Sequence, residues 1–106
     1  MVSQRPRAGL KTAASRTADR TGAIAMAAAR RIEPELIQTR RAIHARPELG
    51  FEEKETSKLV RGRLTGLGIK HRVMATTGVA ALVPGRAPGK VLMVRCDMDA
   101  LPIQEE

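Results

Sequence analysis

The residues with the most evident chemistry stand close together. Arg95, Asp97 and Asp99 fall within five residues, in the run V-L-M-V-R-C-D-M-D-A-L-P-I-Q-E-E that occupies residues 91–106. Two carboxylates at that spacing can hold a cation, orient a histidine or pair with Arg95. Aspartate is also favoured in turns and at helix starts, so the same residues can simply end one element and begin the next. Cys96 lies beside them without a second cysteine, a close histidine or a base at a useful spacing. Neither a thiolate metal site nor an activated nucleophile follows, and Cys96 reads as a small, partly buried residue. Of the two histidines, His44 falls on or beside the apolar face of a predicted helix and reads as a packed, hydrogen-bonded residue. His71 occupies an ordinary strand position.

Several elements must hold these side chains. Val91, Leu92, Met93 and Val94 form a short apolar run with β-branched members, the pattern of a strand buried on both faces. In open α/β sheets ligands bind just past the carboxyl ends of strands, which is where Asp97 and Asp99 fall. Before this run, P-G-R-A-P-G-K at residues 84–90 is a loop with two Pro-Gly pairs. Its glycine spacing is wrong for a phosphate-binding loop. Residues 69–74 and 79–83 read as two strands joined by a turn at Thr76, Thr77 and Gly78. A helix is predicted over residues 53–67, with Thr56, Val60, Leu64 and Leu67 on one face and Gly68 as its left-handed cap. An earlier helix opens near Ile32, where Pro34 suits the first turn and Glu33 and Glu35 favour the positive end of the dipole. Leu36 and Ile43, and Ile37 and His44, recur seven residues apart, and Pro47 stops the helix near Ala45 or Arg46. Between the helices, Glu48, Glu52 and Glu53 surround Leu49, Gly50 and Phe51. Phe51 reads as a core anchor and the acids as solvated or helix-capping. Two helices, a β-hairpin and a buried strand make the fold class α/β.

The chain of 106 residues allows one small domain with a modest core. One Phe and no Trp or Tyr make that core poor, because aromatic residues supply much of the area that cores bury. The net charge of +8 is unevenly spread: residues 1–31 hold seven basic residues against Asp19, while residues 32–106 hold twelve against ten acids. The basic character therefore belongs to the leader. Residues 1–31, rich in Arg, Ala, Ser and Thr, are expected to form a disordered basic leader, because they cannot bury enough surface to offset ordering entropy. Three other readings of this leader compete. It has the composition of an organellar transit peptide. It could be a basic arm for nucleic acid, although it lacks interleaved aromatic residues for stacking. Finally, Met26 could be the true start. No run approaches the ~18 apolar residues of a membrane span, so no membrane partner is expected. One cysteine excludes an internal disulfide and fits a reducing, cytoplasmic compartment.

Three stretches together carry a resemblance. R-R-A-I-H-A-R-P-E-L-G-F-E-E-K-E-T-S at residues 40–57, A-T-T-G-V-A-A-L-V-P-G at residues 75–85, and R-C-D-M-D-A-L-P at residues 95–102 stand in this order. The chain from about residue 33 to residue 106 resembles the metal-dependent N-acyl-amino-acid amidohydrolases, the aminoacylase, hippurate hydrolase and auxin-conjugate hydrolase branch of peptidase family M-twenty. Its departure from that family's R-A-D-M-D-A-L-P signature is Cys96, where the family commonly has alanine.

The resemblance implies that residues 32–106 are the amino-terminal part of a zinc-peptidase-like catalytic domain, truncated relative to a longer enzyme. Enzymes of this kind hydrolyse the amide bond of N-acyl amino acids or short peptides, using a divalent metal (zinc or manganese) to activate water and a glutamate as general base. Their metal ligands lie in a later C-G-H-D-x-H motif, a later glutamate and further histidines, which this sequence does not contain, so no metal is expected on this segment alone and the segment alone is expected to be inactive. Asp97 aligns with the aspartate of a related H-x-D motif that orients a metal-bound histidine in sister branches. Here Arg95 takes the histidine position, which leaves Asp97 a supporting role around the metal site. Asp99, the second catalytic candidate, completes the signature with Leu101 and Pro102 and shapes the strand-end turn. Glu105 and Glu106 could approach the substrate side. Homo-oligomerisation would use a smaller inserted domain that is absent here. The competing reading, from a different class, is a small non-catalytic binding module whose basic arm takes an acidic partner.

Overall fold

Alanine is the strongest helix former, and the chain uses it freely from Ala13 onward. In the computed structural model, which describes residues 12–103, helix α1 spans Ala13–His44. Thr12 caps it, its Oγ1 accepting the Ser15 N–H at 3.2 Å, which satisfies one of the donors that a helix start leaves unpaired. The helix ends two residues before the Arg46-Pro47 bond, where the residue preceding proline is pushed out of helical geometry.

The start of α1 corrects two sequence expectations. The helix does not open near Ile32: residues 13–31 of the leader expected to be disordered are helical, and residues 1–11 of it lie outside the described residues. The string of alanines around Ile24 and Met26 explains this, since helix propensity acts locally and needs no core. Pro34 consequently stands inside α1 rather than in its first turn, where its ring nitrogen has no hydrogen to give the carbonyl of Arg30. No residue of α1 is buried.

The chain divides into two compact units, Met1–Arg40 and Arg41–Glu106. The described part of the first is Thr12 and helix α1 as far as Arg40. In the second, α2 spans Lys54–Gly66 and packs against a two-stranded antiparallel sheet, β1 (His71–Met74) and β2 (Gly78–Ala81). The helix ends as the glycine signal predicts. Gly68 takes φ 68°, its N–H bonds the Thr65 carbonyl, and the Ile69 N–H bonds the Leu64 carbonyl, both at 2.9 Å. This pair of bonds is the Schellman closure.

The hairpin registers His71 against Ala81, Arg72 against Ala80, Val73 against Val79 and Met74 against Gly78. Its turn places Ala75 at φ 48° and Thr76 at φ 73°, a conformation that costs a β-branched residue more than most. Gly78 is required where it stands, because a Cβ there would come within 2.8 Å of the Met74 carbonyl oxygen.

Burial departs most from expectation. Among the described residues no hydrophobic side chain is buried; the buried residues are Glu53, Thr56, Ser57 and Thr77. Residues 91–94, expected as an interior strand, form no ladder and are 77–87% exposed. An interior strand needs a strand on each edge and a layer over each face, and the described residues place none around it. Phe51 is not a core anchor. It occupies the φ > 0 position (66°) of a turn closed by the Glu52 N–H on the Leu49 carbonyl at 2.9 Å, and is 73% exposed. His44, expected to be packed, is exposed in the last turn of α1. Leu67, placed on the inner face of α2 by periodicity, is exposed beyond the helix end.

Candidate functional site

The start of α2 gathers the polar structure of the second unit. A helix start leaves four N–H groups without intrahelical partners. Glu53 occupies the cap position without capping the helix through its side chain. Glu48, from the preceding loop, does so instead. Its Oε1 accepts the Thr56 hydroxyl at 2.6 Å and the Thr56 N–H at 2.7 Å, and its Oε2 accepts the Glu55 N–H at 3.0 Å. The Thr56 hydroxyl above all, then the N–H groups of Glu55 and Thr56, hold the Glu48 carboxyl below its ordinary value, since each donor favours the charged form.

Glu53 turns the other way. Its Oε2 accepts the Thr77 hydroxyl at 2.6 Å in a buried contact, which fixes the hairpin turn to the head of α2. Thr77 itself sits in a tight turn, its N–H bonding the Ala75 carbonyl at 2.9 Å.

The signature segment reaches the same place. The Ala100 N–H donates to the main-chain carbonyl of Glu48 at 2.8 Å. Asp99 lies nearby, its Oδ2 4.0 Å from where a Cβ on Gly50 would stand. Asp97 makes the pairing that its spacing from Arg95 allowed: Arg95 Nη2 stands 3.0 Å from Asp97 Oδ1. Both side chains are mostly exposed, which limits what the pair contributes to stability.

The other candidates scatter. Cys96 is exposed rather than partly buried, because the strand expected to shelter it forms no sheet. His71 stands in β1, as its position in the sequence suggests, with Nδ1 3.0 Å from the Ile69 carbonyl oxygen. Leu101 is exposed, and Glu105 and Glu106 lie outside the described residues. Among the described residues no three His, Cys, Asp or Glu side chains converge as a metal site would require. The donors present do not fit a divalent metal: Asp97 is engaged by a guanidinium, and the two histidines lie on separate elements. An open groove of about 590 Å³ is lined by Ala42, Ile43, Arg46, Glu48, Thr56 and Leu59 among others. Residues 91–103 contribute nothing to its lining, so this groove is not where the signature aspartates stand.

Sequence reasoning placed Glu48 among acids that were solvated or helix-capping, and the capping reading is the observed one. Its main-chain link to Ala100 was missed, as was Thr77. The cap had a local signal, a glutamate ahead of a helix whose first turn holds a threonine. The Ala100 link, between residues far apart in sequence, had none.

No family model and no solved structure matches the chain. Curated relatives do. Over 71 residues it is 51% identical to an IAA-amino acid hydrolase of Arabidopsis thaliana, covering 66% of this chain and 16% of that protein. Over 76 residues it is 47% identical to a thermostable carboxypeptidase of Saccharolobus solfataricus, covering 70% and 19%. Over another 76 it is 43% identical to an N-acyl-L-amino acid amidohydrolase of Geobacillus stearothermophilus, covering 71% and 20%. The chain thus spans a fifth or less of the length of these relatives. No helix among the described residues is long and apolar enough to cross a membrane. Over the matched segment, the chain is a relative of the N-acyl-amino-acid amidohydrolases of peptidase family M-twenty.

Proposed function

We propose that residues 32–106 form the opening part of the catalytic domain of a metal-dependent amidohydrolase, with a zinc-peptidase-like α/β fold, that hydrolyses N-acyl amino acids or small peptides in the cytoplasm. Residues 1–31 are a basic leader outside that domain. The observation that carries this reading is identity of 43–52% to proteins named for such hydrolysis. That level was reached over a stretch long enough to contain all three motifs. In this reading the zinc or manganese ligands and the glutamate base come from motifs that this sequence does not contain, and this segment alone hydrolyses nothing. Assembly into homo-oligomers likewise rests on parts outside it.

The segment's own contribution is positional. Asp97 presents a carboxylate beside the reaction centre and orders groups around it, while Asp99 shapes the turn that carries it. Removing a carboxylate with that supporting role costs on the order of 10–100-fold in activity or metal affinity.

A chimera tests the reading directly. The segment matched in the Geobacillus amidohydrolase is replaced by the matching 76 residues of this chain, and hydrolysis of N-acetyl amino acids is measured. Retained turnover that falls in Asp97→Asn more than in Asp99→Asn is the expected result. A folded, metal-loaded but inactive chimera would refute the proposed function, and an active Asp97→Asn chimera would refute the role of Asp97.

A further inference from the structure

We infer that Glu48 is a positioning residue, a latch that sets where the signature aspartates stand by clamping the Asp99-Ala100 backbone to the head of α2. Among the described residues, one main-chain hydrogen bond ties residues 82–103 to the earlier chain: the Ala100 N–H on the Glu48 carbonyl at 2.8 Å. The side chain of the same residue makes three bonds to the first turn of α2, at 2.6, 2.7 and 3.0 Å. One residue therefore joins the signature, through its main chain, to a helix start, through its carboxylate. The carboxylate fixes the direction of the Glu48 backbone, and that backbone presents the carbonyl to Ala100. Asp99 lies close to the same loop, its Oδ2 4.0 Å from where a Cβ on Gly50 would stand.

Glu53 completes the anchorage from the other side. Its buried bond to Thr77 holds the hairpin turn to the same helix start. The head of α2 is thus a fixed platform on which the loop at residues 48–50 rests. A carboxylate that must act on a reaction centre has to be held within a fraction of an ångström, by a supporting group that is itself locked. Glu48 has both attributes. The catalytic consequence rests on the amidohydrolase reading; the mechanical one does not.

Amide hydrogen exchange of the 106-residue chain, read by nuclear magnetic resonance, tests the latch. Glu48→Ala is expected to speed exchange at Ala100 by about 5- to 30-fold. Glu48→Gln should do so by less, since its carbonyl oxygen keeps an acceptor for Thr56. Gly68→Ala disturbs the far end of α2 through its left-handed backbone and should leave Ala100 unaffected. Unchanged Ala100 exchange in Glu48→Ala overturns the inference. So does an equal acceleration in Gly68→Ala, which would mean that the Ala100 bond opens only by unfolding. In the active chimera, Glu48→Gln should lower kcat while leaving KM unchanged, and an unaltered kcat counts against the latch. A chimera inactive with the unsubstituted segment refutes the amidohydrolase reading and leaves the exchange result standing.

Discussion

A carboxylate that accepts hydrogen bonds from a hydroxyl and two main-chain N–H groups is worth most to the fold when charged, and Glu48 is in that position. Its carboxyl is lowered from 4.5, so the sign of its pH dependence follows. A depressed folded-state value means that the contribution is fully present above the ordinary carboxyl value. It is then lost as pH falls through the folded one. The melting temperature of the wild-type chain should therefore exceed that of Glu48→Gln near neutrality. The gap should close as pH falls below the ordinary carboxyl range and Glu48 takes up its proton. Melting curves that stay parallel over this range would show that the carboxylate caps nothing. Asp97 differs in kind. Its pair with Arg95 is exposed and contributes roughly 0–1 kcal/mol at most, so the fold gains little from it. The signature drew attention to Asp97, whereas Glu48 read only as one of several solvated or helix-capping acids.

At the scale of elements, the chain separates signals that act locally from those that depend on neighbours. Gly68 after the last helical turn and Pro47 after α1 could be read from the sequence because each acts on its own backbone. The hairpin could be read for the same reason, although its strands are shorter than expected, at four residues each. The true start of α1 was hidden because charge and low bulk suggested disorder, whereas runs of alanine favour helix without burial. The Glu53-Thr77 bond could not be foreseen, since it joins residues 24 apart. Its energetic weight can be measured. Thr77→Val keeps the shape but removes the hydroxyl from a buried carboxylate, and hydrogen bonds to charged groups contribute about 1.5–3 kcal/mol. Chemical denaturation should show a loss of that size, mostly recovered in Thr77→Ser. A loss within about 0.5 kcal/mol, the usual range for surface changes, would mean that the hairpin turn is held to α2 by packing alone.

For the whole molecule the governing fact is apolar surface left uncovered. The sequence pattern of residues 91–94 expresses a strand made for burial on both faces, yet Val91, Leu92, Met93 and Val94 are 83%, 87%, 85% and 77% exposed. The pattern was legible because apolar continuity is written in residue types. Its outcome was not, because burial requires partners that residue types do not supply. An extended apolar segment with unpaired backbone groups is a template for pairing with another chain. The 106-residue chain by itself is therefore expected to self-associate as its concentration rises, through residues 91–94. Burying one large aliphatic side chain yields about 1.5–3 kcal/mol. Replacing Leu92, the most exposed of the four, by lysine should thus shift the onset of association to at least about tenfold higher concentration. The lysine acts as natural edge strands do, by making the pairing surface costly to desolvate. Sedimentation velocity across a dilution series of wild type and Leu92→Lys measures the shift. Ile24→Lys in α1, an exposed apolar site at 62%, controls for the general effect of added charge. If Ile24→Lys moved the onset as far as Leu92→Lys, association would belong to the apolar surface at large. An effect confined to Leu92→Lys would locate it in the segment that precedes the signature aspartates, where burial of residues 91–94 and placement of Asp97 would be one event.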